Sequence, residues 1–423
     1  MHQPGMSRFV MGGRFFLRIT VLIGFACGVS SLLGPSSSAA PPQQAPPSEP
    51  IPATYFGMSI GIGAGWPPLP FGALGKGPAT TWAFLEPSKG HYDWSRLDAL
   101  VNQAQAHGMP MFYSTDYVPK WAAIDKSSCR PAVFNNTVCR STAANIQDWD
   151  DFVTALATRY KGKIDMYELW NEPDQPEEST ATVGQMVTLT NHMYKIIRSI
   201  DPGALIGSPS IITTQWLDSY WAAGGVHDVD VVTLHGYPGN TPPESICYFR
   251  TQPLKAVMAK YGISKPLWDT EDSWGSGDIG RTFSGEQRFA FVARHYLMHW
   301  SCGVSRYYWW LWSRGDWGAM IEANGGKNEA AVAYENVQNW MVGATMPQPC
   351  VPVKGDKYHA TYTCDLTRDG GYQARAVWNT DGSSTYLAPN QFAHYRDLEG
   401  RKYAVPSNHQ VMISPKPILL ENN

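Results

Sequence analysis

Charge of one sign is what this chain lacks first. Its 423 residues carry 33 Lys and Arg against 36 Asp and Glu, a net of −3. With no basic excess, bulk electrostatics speak against nucleic acid and acidic membrane surfaces as partners. Long hydrophobic runs are missing as well: the most apolar stretch, Ile19 to Leu33, is shorter than the roughly 20 residues a membrane span needs. Neither CxxC nor HExxH occurs, which removes the usual zinc spacings. No GxGxxG follows the first strand candidate, so the dinucleotide folds lose their main signature. Repeats of solenoid type are absent too.

Flat rings and glycine are abundant: 17 Trp, 21 Tyr and 39 Gly, more aromatic surface than one core needs. A cleft that stacks on flat ligands is the physical use for the surplus, and carbohydrate is the ligand class it suggests. At 43% hydrophobic and 16% charged, the composition is that of a folded protein with a substantial core.

The first forty residues read as an address. Arg8, Arg14 and Arg18 precede the Ile19–Leu33 run, and the small residues Ser36 to Ala40 follow, as in a secretory signal. Pro41 disfavours cleavage directly after Ala40, so residues 1–40 serve as a signal peptide or as an N-terminal anchor, the only route to a membrane that the sequence offers. Gly24-Phe25-Ala26 before Cys27 makes a poor lipidation site. Residues 41–53 form a Pro-rich linker. Six cysteines remain, an even number, as an oxidising compartment favours. Sequence proximity prefers Cys129 with Cys139 and Cys350 with Cys364, leaving Cys247 and Cys302, although six cysteines allow about 15 pairings. The expected location is secreted, periplasmic or cell-surface.

From Tyr55 onward, apolar strands alternate with amphipathic helices. Strand candidates are Tyr55–Gly61, Met109–Ser114, Ile164–Trp170, Ala204–Ser208, Val229–His235, Pro266–Thr270 and Arg306–Trp312, with an eighth in Gly72–Trp82. Leu97, Leu100, Val101 and Ala104 recur at helical spacing, as do Trp149, Phe152, Val153, Leu156 and Tyr160. Eight strand–helix units predict an α/β fold, a (β/α)8 TIM barrel over residues 54–343. Residues 344–423 change to strand alternation, seen in Tyr362 and Cys364 and in Ala374, Ala376 and Trp378. They predict a small C-terminal antiparallel β-sandwich-like domain, which strands from before the barrel would help complete.

Chemistry in such a barrel belongs at the C-terminal strand ends. Two of these ends carry carboxylates: Trp170-Asn171-Glu172-Pro173 on the fourth strand and Trp268-Asp269-Thr270-Glu271-Asp272 on the seventh. Strands four and seven face each other across the mouth, where glycoside hydrolysis needs its two carboxyl groups. Trp310 and Trp312, two apart on the eighth strand, are candidates to stack on a sugar. Glu168 lies deeper on the same strand parity as Glu172 and reads as a buried structural partner. Glu86, Glu286 and Glu329 read as ordinary ion-paired or solvated residues, and Asp269 and Asp272 as makers of local loop bonds.

Those two blocks resemble the glycoside hydrolases of clan A, most of all family 39 and its relatives. His235-Gly236-Tyr237 supports the resemblance, and so do Trp82-Ala83-Phe84-Leu85-Glu86-Pro87 and Gly90-His91-Tyr92-Asp93-Trp94. The resemblance implies a retaining hydrolase of a β-linked oligo- or polysaccharide, with Glu172 as acid/base and Glu271 as nucleophile. It also implies that Asn171 holds the sugar 2-hydroxyl, that Tyr237 orients Glu271, and that His235 lines the subsite beside the cleaved bond. Clan members commonly carry an Arg after the second strand, whereas Phe71 to Pro78 here offers only Lys76. No metal or organic cofactor is called for, because both catalytic steps come from carboxyl groups. Two other readings stand beside this one: an exo-acting β-xylosidase-like enzyme, and a carbohydrate-binding protein that keeps the cleft without turnover.

Overall fold

The computed structural model describes residues 46–61, 64–275, 283, 285–313, 318–322 and 324–422. The expectations for the signal segment, for Cys27 and for most of the linker lie outside the described residues, as does Trp317. Among the described residues eight parallel strands occur, and from the second onward they alternate with helices, as the periodicity predicts. The first half holds β1 (Phe56–Met58), β2 (Ala73–Leu74), β3 (Phe112–Ser114), the short antiparallel insertion β4 (Val118–Pro119), β5 (Cys129–Pro131) and β6 (Thr137–Cys139), and then β7 (Met166–Glu168). The second half holds β8 (Leu205–Gly207), β9 (Val232–Leu234), β10 (Leu267–Asp272) and β11 (Val304–Trp309). Between them run helices α1 (Trp82–Leu85), α2 (Ser95–Ala106), α3 (Ile146–Arg159), α4 (Val183–Ile200), α5 (Thr214–Ala222), α6 (Gln252–Lys260), α7 (Glu286–Ser301) and α8 (Glu329–Met341).

The parallel strands pair as two arcs, β2-β1-β11-β10-β9 and β3-β7-β8. Isolated parallel bridges link the arcs, Leu74 to Met111 at one end and Gly207 to Val231 and Ile211 to Leu234 at the other. The eighth strand expected in Gly72–Trp82 is thus only Ala73–Leu74, and Trp82 instead opens a helical turn that buries its ring against Phe152. Helix α2 buries Leu97, Leu100, Val101 and Ala104, the stripe its sequence marks, and α3 buries Trp149, Phe152, Val153 and Leu156. Asn145 caps α3, Thr182 and Gln185 form a capping box on α4, and Asn328 caps α8. Gly108, Gly162, Gly262 and Gly303 all take positive φ where a helix hands over to a strand.

The remaining strands are β12 (Val351–Gly355), β13 (Ala360–Arg368), β14 (Tyr372–Asn379), β15 (Ser384–Leu387), β16 (His394–Arg396), β17 (Lys402–Ala404), β18 (Gln410–Ile413) and β19 (Ile418–Glu421). Six of them form the sheet β12-β13-β14-β19-β16-β17, and β15 with β18 forms a separate ribbon. One face of the sheet packs Val377, Ile418 and Leu420 with Val411 and Ile413 of the ribbon, which gives the sandwich-like layering. The other face, with Tyr362, Cys364 and Trp378, belongs to the same core as the parallel strands and helices. Trp378 reaches across to donate its Nε1–H to Glu244 at 2.7 Å, and Glu244 is also paired with Arg294 of α7. Among the described residues before β1, 46–55, none adds a strand to the sheet. Ile51 instead exchanges backbone hydrogen bonds with Gly343 and Ala344 after α8, clasping the two ends of the parallel unit.

The three cysteine pairs are Cys129–Cys139, Cys247–Cys302 and Cys350–Cys364, the set that sequence proximity prefers. Among the described residues no helix is long and apolar enough to cross a membrane.

Candidate active site

Two strand ends converge on a cleft of about 800 Å³. Beyond β7 the chain is held by its neighbours: Asn171 N–H donates to Thr115 O at 2.8 Å and Glu172 N–H to Ser210 O at 3.0 Å. Glu172 takes φ +43°, the left-handed region, at the residue before Pro173. That backbone costs a non-glycine residue about 1–3 kcal/mol and persists where surrounding structure enforces it, as at functional sites. Glu271 is the penultimate residue of β10 and is 7% exposed at the cleft floor.

Hydrogen bonds give the two carboxylates different surroundings. Glu271 accepts from the Tyr237 hydroxyl at 2.8 Å on Oε1, and Lys76 Nζ stands 2.5 Å from Oε2. Lys76 also donates to Asn171 Oδ1 and lies 4.9 Å from the Trp310 ring centroid. It lies two residues beyond β2, in the stretch where the sequence offers Lys76 and no Arg, and places its ammonium against Glu271. Burial by itself would push the Glu271 carboxyl up, but the Lys76 and His235 cations and the Tyr237 hydrogen bond hold it below the usual carboxylate range. Burial also opposes the charge on His235, yet Glu271 and Glu172 raise its imidazole to about 9. His235 Nδ1 lies 2.5 Å from Glu172 Oε1. The His235 imidazole and the Glu172 carboxyl thus share one short hydrogen bond, the contact that fixes the orientation of Glu172.

Beneath this layer, Glu168 is fully buried and accepts hydroxyl donors from Ser114 at 2.7 Å, Ser210 at 3.0 Å and Thr270 at 2.6 Å. Three strands, β3, β7 and β10, and the segment after β8 meet on that one side chain, the structural role its depth predicts. Among the described residues Asp269 and Asp272 pair with histidines of α7 and not with their own loop, a correction to the sequence reading, and Asp269 also accepts from Gly236 N–H at 3.3 Å. His299 Nε2 is 3.1 Å from Asp269 and 3.2 Å from Asp272, and His295 Nε2 is 2.8 Å from Asp272. Burial opposes the charge on His299, but the two aspartates raise it to about 9, so a buried imidazolium ties the nucleophile's strand to the helix behind it. Asp272–His295–His299 and Glu172–His235–Glu271 both have the donor types to hold a cation, with ligand atoms within 4.8 Å. In each cluster the carboxylates already face protein nitrogen, from His295 and His299 in one and from Lys76 and His235 in the other.

Asn171, Glu172, Tyr237, Glu271 and Trp310 all line the cleft, brought there from three strand ends and the loop after β11. His235 does not line the subsite; it is fully buried beneath Glu172 and reaches the cleft only through that carboxylate. Trp312 does not line it either and sits in the core at 7% exposure. The reason is local: β11 ends at Trp309, so strand alternation does not carry through to residue 312, and Leu311 and Ser313 face the cleft instead. Glu86 is buried and satisfied by Trp82 Nε1 and Gly90 N, while Glu286 and Glu329 pair with Lys416 and Arg288.

Sequence reasoning missed Asp116, Tyr117, Glu178 and Arg250, all of which line the cleft. Burial raises Asp116 to about 8, with Lys76 opposing and Glu178 adding to the shift; burial likewise raises Glu178 to about 7. Asp116 lies two residues past β3, so the strand-end rule applied to the third strand would have found it. Glu178 comes from the loop before α4 and Arg250 from the π-helical turn Cys247–Thr251 that leads into α6, and neither carried a sequence signal.

A cleft at the C-terminal strand ends, floored by two closely spaced glutamates and walled by polar and aromatic side chains, defines a glycosidase. The chain belongs to the glycosyl hydrolase catalytic core family, which residues 87–334 match. Its fold is that of a monomeric β-xylosidase from Caulobacter crescentus, at TM-score 0.59 and 15% identity over 89% of this chain and 97% of that one. The family 39 enzyme from Xanthomonas axonopodis pv. citri aligns at TM-score 0.58 and 14% identity over 90% and 95%. A family 30 subfamily 8 xylanase from Clostridium acetobutylicum aligns at TM-score 0.57 and 13% identity over 89% and 97%. These neighbours agree with the clan A, family 39-like resemblance read from the motifs.

Proposed function

We propose that the protein is a retaining glycosidase that cleaves a β-linked oligo- or polysaccharide by double displacement. The observation that carries this is the gap between the carboxylates: an oxygen of Glu172 and one of Glu271 lie within 4.8 Å. Retention needs carboxyl groups about 5–5.5 Å apart, whereas inversion needs about 6.5–9.5 Å to admit a water. The two strand arcs and the three bridges between them are read as a closed (β/α)8 ring. Residues 54–343 form the catalytic barrel and 344–423 the accessory β domain; residues 1–40 export or anchor the chain, and 41–53 link that segment to the enzyme.

In the first step Glu271, kept ionised by Lys76, attacks the anomeric carbon. The bond to the leaving oxygen breaks as that oxygen takes the proton of Glu172. In the second, Glu172 takes a proton from water, whose oxygen displaces Glu271 from the sugar. Asn171 receives the 2-hydroxyl, and Trp310 stacks on the ring. His235 is a positioning residue that fixes Glu172.

The neighbours named β-xylosidase and xylanase make xylo-configured chains the first to test. Proton NMR of an aryl β-xyloside and of β-1,4-xylohexaose during hydrolysis should show the β anomer first, with mutarotation following. Initial appearance of the α anomer would exclude the double-displacement reading.

Lys76 gives a second test. Lys76→Gln keeps a donor but removes the charge that lowers Glu271, so the acid limb of kcat/KM should move to higher pH. Its plateau should fall by about 10²–10³-fold, the usual cost of removing one electrostatic stabiliser. An acid limb at the wild-type pH would mean that Lys76 does not set the ionisation of the nucleophile.

A further inference from the structure

The catalytic cleft does not end at its own rim. A second, shallower cavity of about 240 Å³ abuts it, and the two share Gly61, Gly77, Pro78 and Thr80 as lining. Beyond that shared edge, the second cavity is floored by one face of α2, with Arg96, Ala99, Leu100 and Gln103 at helical spacing. Ala99 is the small residue at the middle of this face, and Gly77 keeps the shared edge low. A Cβ at residue 77 would come within 2.6 Å of Leu100 Cδ2, so the main chain rests on the helix there. The result is a continuous groove running from the cleft onto the outer side of the barrel.

Phe134 forms the far wall of this groove. It is 52% exposed, an unusual place for a large apolar ring, and it sits at the tip of the insertion that Cys129–Cys139 staples. Phe134 and Asn135 have φ of 57° and 54°, two successive non-glycine residues in the left-handed region. The tip is held in that form by Ala132 N–H donating to Asn136 O at 2.8 Å and Asn136 Nδ2 donating to Ala83 O at 2.8 Å. Arg96 places its guanidinium carbon 3.7 Å from the Phe134 ring centroid and makes no hydrogen bond to another described residue. Fold stability alone gives no reason to hold an exposed ring on strained backbone over an exposed arginine.

We propose that this groove is a distal sugar subsite of the glycosidase, taking a monosaccharide unit of a β-linked glycan chain remote from the cleaved bond. Phe134 supplies a stacking face for the apolar side of a pyranose, while Arg96 and Gln103 supply hydrogen-bond groups for its hydroxyls. The occupant is argued from continuity: whatever chain fills the catalytic cleft and extends past Gly77 and Pro78 enters this groove. The substrate class is thereby a chain, not a single terminal sugar on an arbitrary aglycone. The inference rests on the glycosidase reading proposed above.

The test uses the full protein with β-1,4-xylo-oligosaccharides and β-1,4-gluco-oligosaccharides of two to eight units, measuring kcat/KM against length. Wild type, Phe134→Ala and Arg96→Ala are compared with Val133→Ala, which alters the neighbouring exposed side chain outside the groove. In wild type, kcat/KM should climb steeply once chains are long enough to reach the groove. Phe134→Ala and Arg96→Ala should lower it by roughly tenfold on those long chains and by less than about twofold on the shortest hydrolysed substrate. Val133→Ala should follow wild type, which separates a lost subsite from a disturbed loop. A wild-type rate that does not depend on length, or variants that lose equally at every length, would overturn the subsite while leaving hydrolysis in place. No hydrolysis of either series alongside cleavage of aryl glycosides alone would overturn it as well, because no chain would then be the substrate. No hydrolysis of any glycoside would overturn the glycosidase reading and the subsite with it.

Discussion

Glu271→Ala is expected to reduce turnover of every hydrolysed glycoside by about 10⁴-fold or more, the scale on which removal of a covalent nucleophile acts. The side chain stands in the floor of the cleft, with Tyr237 on one oxygen and Lys76 on the other. Both partners stabilise the carboxylate. Neither can replace it, since an ammonium has no lone pair and a phenol that burial keeps neutral is a poor nucleophile. The alanine variant opens a space beside Lys76 that a small anion can enter. Azide added to the variant with an activated aryl β-glycoside should therefore restore release of the aryl group and yield the α-glycosyl azide, by one displacement from the nucleophile's side. Mass spectrometry and NMR of the product check both points. A variant that retains more than a few per cent of wild-type kcat would remove Glu271 as nucleophile, and so would an azide product of β configuration.

The parts of this site that were legible in the sequence share a physical cause. Glu172 and Glu271 are recognisable because barrel chemistry is confined to strand ends, and because Asn171, Pro173 and Tyr237 travel with them in short motifs. Local periodicity likewise showed α2, α3 and the alternation of β13 and β14, since each buries one face along its own length. The errors arise where a strand stops earlier than its composition implies. Trp310 and Trp312 look like two alternating positions, but β11 ends at Trp309 and the turn that follows sends residue 310 to the cleft and residue 312 to the core. The second strand is only two residues long, so its end, and hence the role of Lys76, could not be located by pattern. Asp269 and Asp272 were misread for a different reason. Their partners His295 and His299 lie on α7, more than twenty residues downstream, and only the packing of that helix against β10 brings them together. Glu178, in the loop before α4, obeys no period at all, and Arg250 sits in an irregular helical turn, Cys247–Thr251, that departs from the ordinary helical period.

Glu172→Gln should separate the two halves of the reaction. Glutamine preserves the shape and can still meet His235 Nδ1, so binding should change little, but it has no proton to give a leaving oxygen. On unactivated glycosides, kcat/KM should fall by about 10²–10⁴-fold, the range attributed to general acid catalysis. On an aryl glycoside whose phenol leaves unaided, kcat/KM should fall far less, because formation of the glycosyl-enzyme no longer needs the acid. Its breakdown still needs Glu172 as base. A burst of phenol equal to the enzyme concentration should then precede a slow steady state. Azide, which needs no base, should relieve that slow step and give the β-glycosyl azide, the opposite anomer to that from Glu271→Ala. The contrast is the strong form of the test, since it assigns one role to each carboxylate from product configuration and not from loss of rate. Equal losses on both substrate classes with no burst would show that Glu172 is not the proton donor.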